Sequence, residues 1–319
     1  MKAIRAAVAA FASATVGALG VVPAAGHAGE GGTSHVLPGA NATLMDAGAT
    51  SPGWFAKPMY VYYGGSVSAL VPTAAGVAAN LHATVNTLAL GGGYTFDFTL
   101  LGGAHWTVAA FIPITWLEVT GDVAVPGGPV YRQNDVWGLG DATLLPLLLA
   151  WKAGDWQFDV LVPIYVPTGN YEKGRLGNTG LNYWTFDPVA GVTYRNGDIG
   201  LNAMLHVGYG MNTANPDTDY QSGSILHLDA AVEQILPVGP GYLALGVEGF
   251  WFRQVTADGG SGATLGAFEG MTAGLGPVAG YFQPIGKQVL SLEAKWLAEV
   301  DTTNRLEGNY VWLKAVYKF

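Results

Sequence analysis

Apolar and polar residues alternate along most of the chain with a period of two, the spacing of a β-strand with one apolar face. The clearest stretch surrounds the pair Asn196-Gly197. Before this pair, one parity is apolar, with Trp184, Phe186, Ala190, Val192 and Tyr194. After it, alternate positions are again apolar, with Ile199, Leu201, Ala203, Leu205, Val207 and Tyr209. Asn-Gly between two alternating runs is a strong hairpin signal, so residues 181–211 are predicted to form a β-hairpin.

The register of this hairpin follows from the length of its turn. A two-residue turn places Asp187 opposite His206 and Phe186 opposite Val207. Each strand then has roughly 13–15 residues, compared with 5–6 in a soluble sheet, which is long enough to cross a bilayer at a tilt. We therefore predict that the hairpin is transmembrane.

The same alternation recurs from Lys57 to Phe319, in about twelve stretches joined by alternately long and short connections. The long connections are predicted at 70–82, 121–134, 167–180, 212–221, 257–263 and 301–308. An even strand number with long outer loops and short periplasmic turns is typical of outer-membrane barrels. The last strand ends with Tyr317 and Phe319 on its apolar face, which resembles the C-terminal assembly signal of bacterial outer-membrane proteins. The predicted fold is an all-β, transmembrane, antiparallel up-and-down β-barrel over residues 57–319.

The first residues have the features of an export signal. Lys2 and Arg5 precede an apolar run, and small residues lead up to Ala28. Residues 1–28 are therefore predicted to be a signal peptide cleaved after Ala28, and the protein is expected in the bacterial outer membrane. Residues 29–56 precede the first predicted strand, and most of them, up to about Ser51, are small and polar. Two placements stay open for them: the periplasm or the barrel lumen.

Charge and cysteine content narrow the classes of partner. Without Lys2 and Arg5, 12 basic side chains remain against 23 acidic ones, a net charge of −11. Such a chain is poorly suited to nucleic acid. The absence of cysteine excludes a disulfide framework. The expected partners are outer-membrane lipid, the outer-membrane assembly machinery and a small-molecule solute.

Four prolines fall inside predicted strands, where each removes a backbone donor from the ladder. They are Pro113, Pro146, Pro163 and Pro188. We expect bulges or kinks at these positions, or strand boundaries that differ by a few residues.

Parity directs a set of mainly charged residues into the lumen: Asp159, Asp187, His206, His227, Asp229, Glu233, Glu248, Glu293 and Lys295. The simpler interpretation is a water-filled lumen in which these groups are solvated. The sharper one is a polar cluster of Asp187, His206, His227 and Asp229, with His206 opposite His227 across a symmetric loop. Such a cluster could bind a divalent cation, titrate near neutral pH or hydrogen-bond a polar group of a solute.

Motifs of enzymes and cofactor sites are missing from the sequence. It has no G-x-S-x-G, no phosphate-binding loop, no zinc-ligand spacing and no dinucleotide fingerprint. His105 and His206 have no serine close by on the same predicted face, so a hydrolase triad is not indicated. We predict no enzymatic activity, no cofactor and no resident metal.

Three motifs together resemble a known family. They are Gly138-Leu139-Gly140-Asp141, the run from Val166 to Tyr171 (VPTGNY), and the run from Asn178 to Pro188 (NTGLNYWTFDP). In this combination the chain is similar to the phenol-degradation meta-pathway (phenol MetA-type) outer-membrane transporter family, over about residues 41–319. The resemblance implies an outer-membrane barrel that admits aromatic or hydrophobic compounds. It supplies no ligand residues, and Asn170 stands where an aspartate is common in the family.

Two functions follow as hypotheses. The first is a channel through which small aromatic or otherwise hydrophobic solutes diffuse passively across the outer membrane. The second is a structural or surface-binding barrel whose lumen is closed.

Overall fold

The computed structural model describes residues 28–319, so the predicted signal peptide lies outside the described residues except for Ala28. The described chain consists of strands and loops, with one 3-10 turn at Glu30–Gly32. The strands are β1 (Gly53–Ala56), β2 (Met59–Val67), β3 (Val71–Thr73), β4 (Gly76–Leu100), β5 (Ala104–Val125), β6 (Gly128–Leu139), β7 (Ala142–Ala153), β8 (Trp156–Leu161), β9 (Ile164–Val166), β10 (Thr185–Phe186), β11 (Val189–Asn196), β12 (Leu201–Asn212), β13 (Ile225–Val238), β14 (Gly241–Gln254), β15 (Met271–Ile285), β16 (Gln288–Thr303) and β17 (Glu307–Lys318). Among these residues, no helix combines the length and the apolar character needed to span a membrane.

The strands form one closed antiparallel sheet. Sequential neighbours pair around the sheet, and β17 pairs with β2 to close it. β1 and β2, β6 and β7, β8 and β9, and β10 and β11 are each two pieces of one wall strand, while β3 is a short flap on β4. The ring therefore passes through 12 strands, which confirms the predicted all-β, twelve-stranded barrel.

Large apolar side chains cover the outer surface of the barrel. Trp116 and Trp137 face each other across β5 and β6, and both are exposed. Leu313 on β17 and Phe319 at the chain end are exposed as well. A soluble protein buries such groups, whereas lipid solvates them, so this surface matches the apolar outer face of a membrane barrel.

Two predicted polar connections are largely strand. β5 continues to Val125 and β6 begins at Gly128, so 121–134 forms an extended hairpin. β16 and β17 likewise leave only 304–306 between them. Both hairpins are polar because their tips project beyond the apolar part of the wall.

The strand prolines coincide with irregularities in the ladder. Pro163 separates β8 from β9, and Pro188 separates β10 from β11. Pro146 lies on β7, opposite a register shift between Thr107 and Ala109 of β5. The Pro113 carbonyl accepts from Gly140 N at 2.9 Å, where the wall passes from β6 to β7. A proline cannot donate to the ladder, which accounts for the irregularities at or opposite these four positions.

The predicted register of the central hairpin is wrong. Asn196 pairs with Leu201, and Gly191, rather than Asp187, lies opposite His206. The Asn196 side-chain carbonyl accepts from the backbone N–H groups of Asp198 and Ile199, and Gly200 has a φ of 65°. The turn therefore spans four residues, 197–200, because the asparagine side chain folds it and a later glycine takes the left-handed conformation.

The barrel has two unlike ends. At one end lie short turns at 101–103, 154–155, 197–200, 239–240 and 286–287, together with the chain end, where Phe319 N donates to Trp54 O at 3.1 Å. At the other end lie the long connections 167–184, 213–224 and 255–270. We call these the short-turn end and the long-connection end.

Candidate functional site

Residues 28–52, which we call the lumen segment, run through the inside of the barrel from one end to the other. At the long-connection end, Ala28 N donates to Asn304 O at 3.0 Å. At the short-turn end, Lys318 Nζ donates to Ser51 O at 2.6 Å. Between these points the segment has little regular structure, so its backbone polar groups need partners from the wall.

Charged side chains of the wall supply those partners. Gly39 N donates to Asp229 at 2.7 Å, and Leu44 N donates to Glu233 at 2.8 Å. Lys314 Nζ donates to the Ala40 carbonyl at 2.9 Å. The lumen charges of β13–β17 therefore bind protein backbone, and the interpretation of a fully water-filled lumen is wrong on this side of the barrel.

Buried ion pairs reinforce the attachment. Lys314 lies 2.7 Å from Asp46 of the segment, and Lys57 lies 2.9 Å from the same carboxylate. Lys295 lies 2.7 Å from Glu248, with both side chains fully buried. A buried charge is costly unless it is paired, so removal of one partner from such a pair is strongly destabilising.

Close packing holds the segment as well. Gly39 has a φ of 74°, and a Cβ built on it would lie 2.2 Å from Leu297 Cδ1. Only glycine combines this backbone conformation with so close an approach to the wall. The segment is thus fitted to the wall by shape as well as by charge.

The predicted polar cluster divides into two separate groups. His227 Nε2 lies 2.9 Å from Asp187 Oδ1, and its Nδ1 lies 3.6 Å from Asp229 Oδ2. His206 Nε2 lies instead 2.8 Å from Asp159 Oδ1, while its Nδ1 contacts the Asn41 carbonyl of the lumen segment. The predicted pairs of Asp187 with His206 and of His206 with His227 are therefore wrong.

The shift in register explains this rearrangement. Gly208, not His206, lies opposite His227, and His206 lies opposite Asp229. Both nitrogens of each histidine ring face acceptors, which suits an imidazolium that bridges two polar groups. Among residues 28–319, no group of three or more His, Asp or Glu side chains is arranged to hold a metal ion.

The other predicted lumen residues also point inward. They are Asp159, Glu233, Glu248, Glu293 and Lys295, and each is at least nine-tenths buried. Glu293 lies between two lysines, 3.9 Å from Lys295 and 3.6 Å from Lys314. These side chains form the polar side of the lumen, which binds the lumen segment.

The opposite side of the lumen is apolar and encloses a cavity of about 430 Å³ between the segment and the wall of β2–β9. The part of its lining that β4, β5, β7 and β8 contribute is uncharged and consists of Leu81, Ala83, Val85, Thr87, Ala89, Phe111, Pro113, Thr115, Leu117, Val119, Thr143, Leu145, Leu148 and Leu161. A cavity lined by such groups favours an apolar ligand over water.

An aromatic group stands at the edge of this cavity. The ring of His35, from the lumen segment, stacks on Tyr165 with centroids 5.1 Å apart and meets the edge of Tyr183 at 4.9 Å. His35 is fixed by Asp141 at 2.8 Å and Thr185 at 2.7 Å. Asp141 and Thr185 belong to the motifs that resemble the phenol-degradation family. Both residues hold the His35 ring, and this ring lines the cavity.

At the long-connection end, loops close over the start of the segment. Glu30 accepts from Asn215 Nδ2 at 2.8 Å and from the Tyr171 hydroxyl at 3.3 Å. Burial raises the pKa of Tyr171 to about 12, so its hydroxyl stays protonated and can donate. Two of the outer loops are thus tied directly to the lumen segment.

Sequence reasoning missed Asp46, Lys314 and the apolar lining. Asp46 lies in a segment without periodicity, and Lys314 is one of two lysines, with Lys318, on the inward parity of the last strand. The sequence of β5 does contain a signal for the cavity, because the strand is apolar on both faces. Its inward face carries Phe111, Leu117 and Val119, and its outward face is apolar as well. A membrane strand that is apolar on both faces has lipid outside and a dry interior.

The comparisons with known proteins agree with this architecture. The model of the family described as "Putative MetA-pathway of phenol degradation" matches residues 67–315. The fold is similar to that of an outer membrane channel from Pseudomonas putida F1, with 19% identity, a TM-score of 0.63 and coverage of 89% of this chain and 100% of that one. The β-domain of the Bordetella autotransporter BrkA is more distant, with 14% identity, a TM-score of 0.46 and coverage of 84% and 100%. No curated protein matches the chain.

Proposed function

The chain belongs to the family described as "Putative MetA-pathway of phenol degradation", and on that basis we propose that it is a channel in the bacterial outer membrane. The proposed channel lets small aromatic or otherwise hydrophobic solutes pass by passive diffusion. The observation that carries the proposal is the cavity of about 430 Å³ beside the lumen segment, whose lining from β4, β5, β7 and β8 is uncharged and mostly apolar. Its volume suits a ligand with one or two rings, since ligand pockets commonly measure about 300–1,000 Å³. The similar structure from Pseudomonas putida F1 is an outer membrane channel, which supports the same class of function.

The proposed mechanism needs no chemistry on the solute. A hydrophobic molecule gains free energy when it leaves water for the cavity, at about 25 cal/mol per Å² of apolar surface buried. The outer-membrane surface is polar, so a protein route lined by apolar groups lowers the barrier that such a molecule meets there. Passage is downhill, and no energy source is required.

Selectivity in this proposal comes from the contrast between the two sides of the lumen. The charged side is occupied by the segment, so ions and sugars find few free polar groups along a path. The free space lies on the apolar side. The channel should therefore favour hydrophobic solutes and conduct ions poorly.

Occupancy of the cavity can be tested by crystallography with bromobenzene as the probe. We expect anomalous bromine density between the segment and β4–β8 in the wild-type protein. Ala83→Trp fills the cavity and should abolish that density, whereas Ala230→Trp, the same change on the lipid-facing surface of β13, should preserve it. Bromine density in the detergent belt alone would contradict the proposal.

The filled polar side also favours a second candidate, a structural barrel with a closed lumen. In that case the segment is a permanent core, and the outer loops act as a binding surface. Hydrophobic solute uptake separates the two candidates, because a closed scaffold gives cells no gain in uptake whether or not its cavity is blocked.

A further inference from the structure

A buried carboxylate at the long-connection end gathers four donors from three parts of the chain. Asp258 is 6% exposed and accepts from Gly29 N at 2.9 Å, the Tyr220 hydroxyl at 2.5 Å, Gly223 N at 3.0 Å and Gln254 Nε2 at 2.7 Å. The carboxylate therefore joins the start of the lumen segment to the connections 213–224 and 255–270. It lies outside the cavity and outside the polar side of the lumen described above.

The donors around Asp258 are all uncharged groups in the unprocessed chain. Burial together with the neighbouring Asp258 raises the pKa of the Tyr220 hydroxyl, so it too stays neutral. A buried carboxylate is much better stabilised when one of its donors is a cation, because charge-assisted hydrogen bonds are about twice as strong as neutral ones. The Gly29 nitrogen becomes such a cation if the chain is cleaved directly before Gly29.

The sequence predicts signal-peptide cleavage between Ala28 and Gly29, and the inference rests on that cleavage. Hydrolysis breaks the amide C–N bond and adds one water, leaving a carboxylate on Ala28 and an amine on Gly29. An α-amine has a pKa near 8, so it takes up a proton and is an ammonium at neutral pH. The atom that becomes this ammonium is the Gly29 nitrogen that already lies 2.9 Å from Asp258.

The surroundings of Gly29 fit a chain terminus held in place. Glu30 N donates to Ser222 Oγ at 3.4 Å, so the residue after Gly29 contacts the same outer loop. A Cβ built on Gly29 would lie 3.1 Å from the Thr33 carbonyl oxygen, closer than ordinary van der Waals contact. A glycine as the first residue thus fits a space that is tight for a larger one.

We propose that the amino terminus produced by signal-peptide removal is itself a structural ligand: the Gly29 ammonium forms an ion pair with Asp258 and locks the two outer connections over the threaded lumen segment. The mature chain end then faces the outside of the barrel, opposite to the carboxyl terminus at the short-turn end. Processing completes the closure of the barrel top, and an unprocessed chain lacks this ion pair.

Amine labelling of the folded protein tests the proposal. Mass spectrometry of protein from outer membranes should first identify Gly29 as the mature terminus. An amine-reactive ester applied near pH 7 should then modify Gly29 at least about tenfold more slowly in the folded barrel than in urea, because a buried ion pair protects the amine. Asp258→Asn should remove the protection, while Asp217→Asn, which changes an exposed carboxylate in the connection 213–224, should retain it.

A second pair of chains keeps the test decisive if Asp258→Asn fails to fold. Chains that begin at Gly29, or with a flexible Gly-Ser extension before Gly29, are refolded into detergent micelles and checked for heat-modifiable migration. The extension moves the ammonium away from Asp258 and also past the buried position of Ala28, so the terminal amine should label at the unfolded rate. A different natural terminus, or equal labelling of folded and unfolded wild-type protein, would overturn the proposal.

Discussion

Single residues decide how the lumen segment stays in place. Lys295 contacts both carboxylate oxygens of Glu248 and also donates to the Gly39 carbonyl, with no exposure to solvent. A lysine in this position holds the wall and the segment together. Its loss leaves Glu248 as a buried charge without its closest cation, and such losses are larger than those of surface pairs.

Lys295→Met is therefore expected to lower the free energy of unfolding by about 3–5 kcal/mol. Urea titration of the reconstituted protein gives the value. Lys152→Met, which removes an exposed lysine, should change it by less than about 0.5 kcal/mol. The double variant Lys295→Met/Glu248→Leu should recover most of the loss, because it removes the uncompensated charge. An unchanged midpoint for the single variant would show that the pair does not support the fold.

At the scale of elements, the alternating sequence defines the strands well but not their partners. β12, β13, β14 and β16 show clean parity, and their inward residues are those that the sequence indicates. The pairing of β11 with β12 depends on one turn, where the Asn196 side chain and Gly200 add two residues to the expected loop. Since a small error in loop length moves every pair, Asp187 meets His227 rather than His206.

The lumen segment could not be located from its sequence for a related reason. Residues 28–52 have no period, and their backbone contacts the wall through single side chains far away in the sequence, such as Asp229 and Glu233. A pattern records local structure, whereas these contacts depend on closure of the whole barrel. The sequence indicates which charged residues face inward, but it does not indicate that the lumen segment is their partner.

A disulfide can test whether the segment moves during passage. A Cβ built on Gly48 lies 2.9 Å from Ala150 Cβ of β7, and the chain contains no other cysteine to interfere. Disulfide-bonded Cβ atoms lie about 3.5–4.5 Å apart, so the pair Gly48→Cys/Ala150→Cys should cross-link on oxidation after a small shift of the segment away from β7. Because many buried polar contacts hold the segment, we expect the oxidised protein to take up solute within about twofold of the reduced protein. Reversible loss of uptake on oxidation would show instead that the segment must move.

At the scale of the whole molecule, the barrel combines a polar side filled by its own chain with an apolar side that encloses a cavity. This division explains how an acidic protein can offer a hydrophobic cavity. Removal of residues 29–50 should leave the wall closed but expose its charges to water. The ionic conductance of planar bilayers should then rise by about an order of magnitude or more over that of the intact protein.

Heat-modifiable gel migration of the shortened protein is the control that the barrel has formed. Equal conductance of the intact and shortened proteins would mean that the segment does not block the lumen. A conductance typical of an open porin in the intact protein would lead to the same conclusion.

Uptake of radiolabelled toluene by whole cells tests the central claim, passage of hydrophobic solutes through the apolar side, most directly. Cells that express the wild-type protein should take up toluene faster than cells with an empty vector, while glucose uptake stays the same. Ala83→Trp should reduce toluene uptake to the vector level, and Ala230→Trp, present in equal amount in the outer membrane, should leave it at the wild-type rate. Toluene uptake that is the same with the wild-type protein, Ala83→Trp and the empty vector would contradict the account.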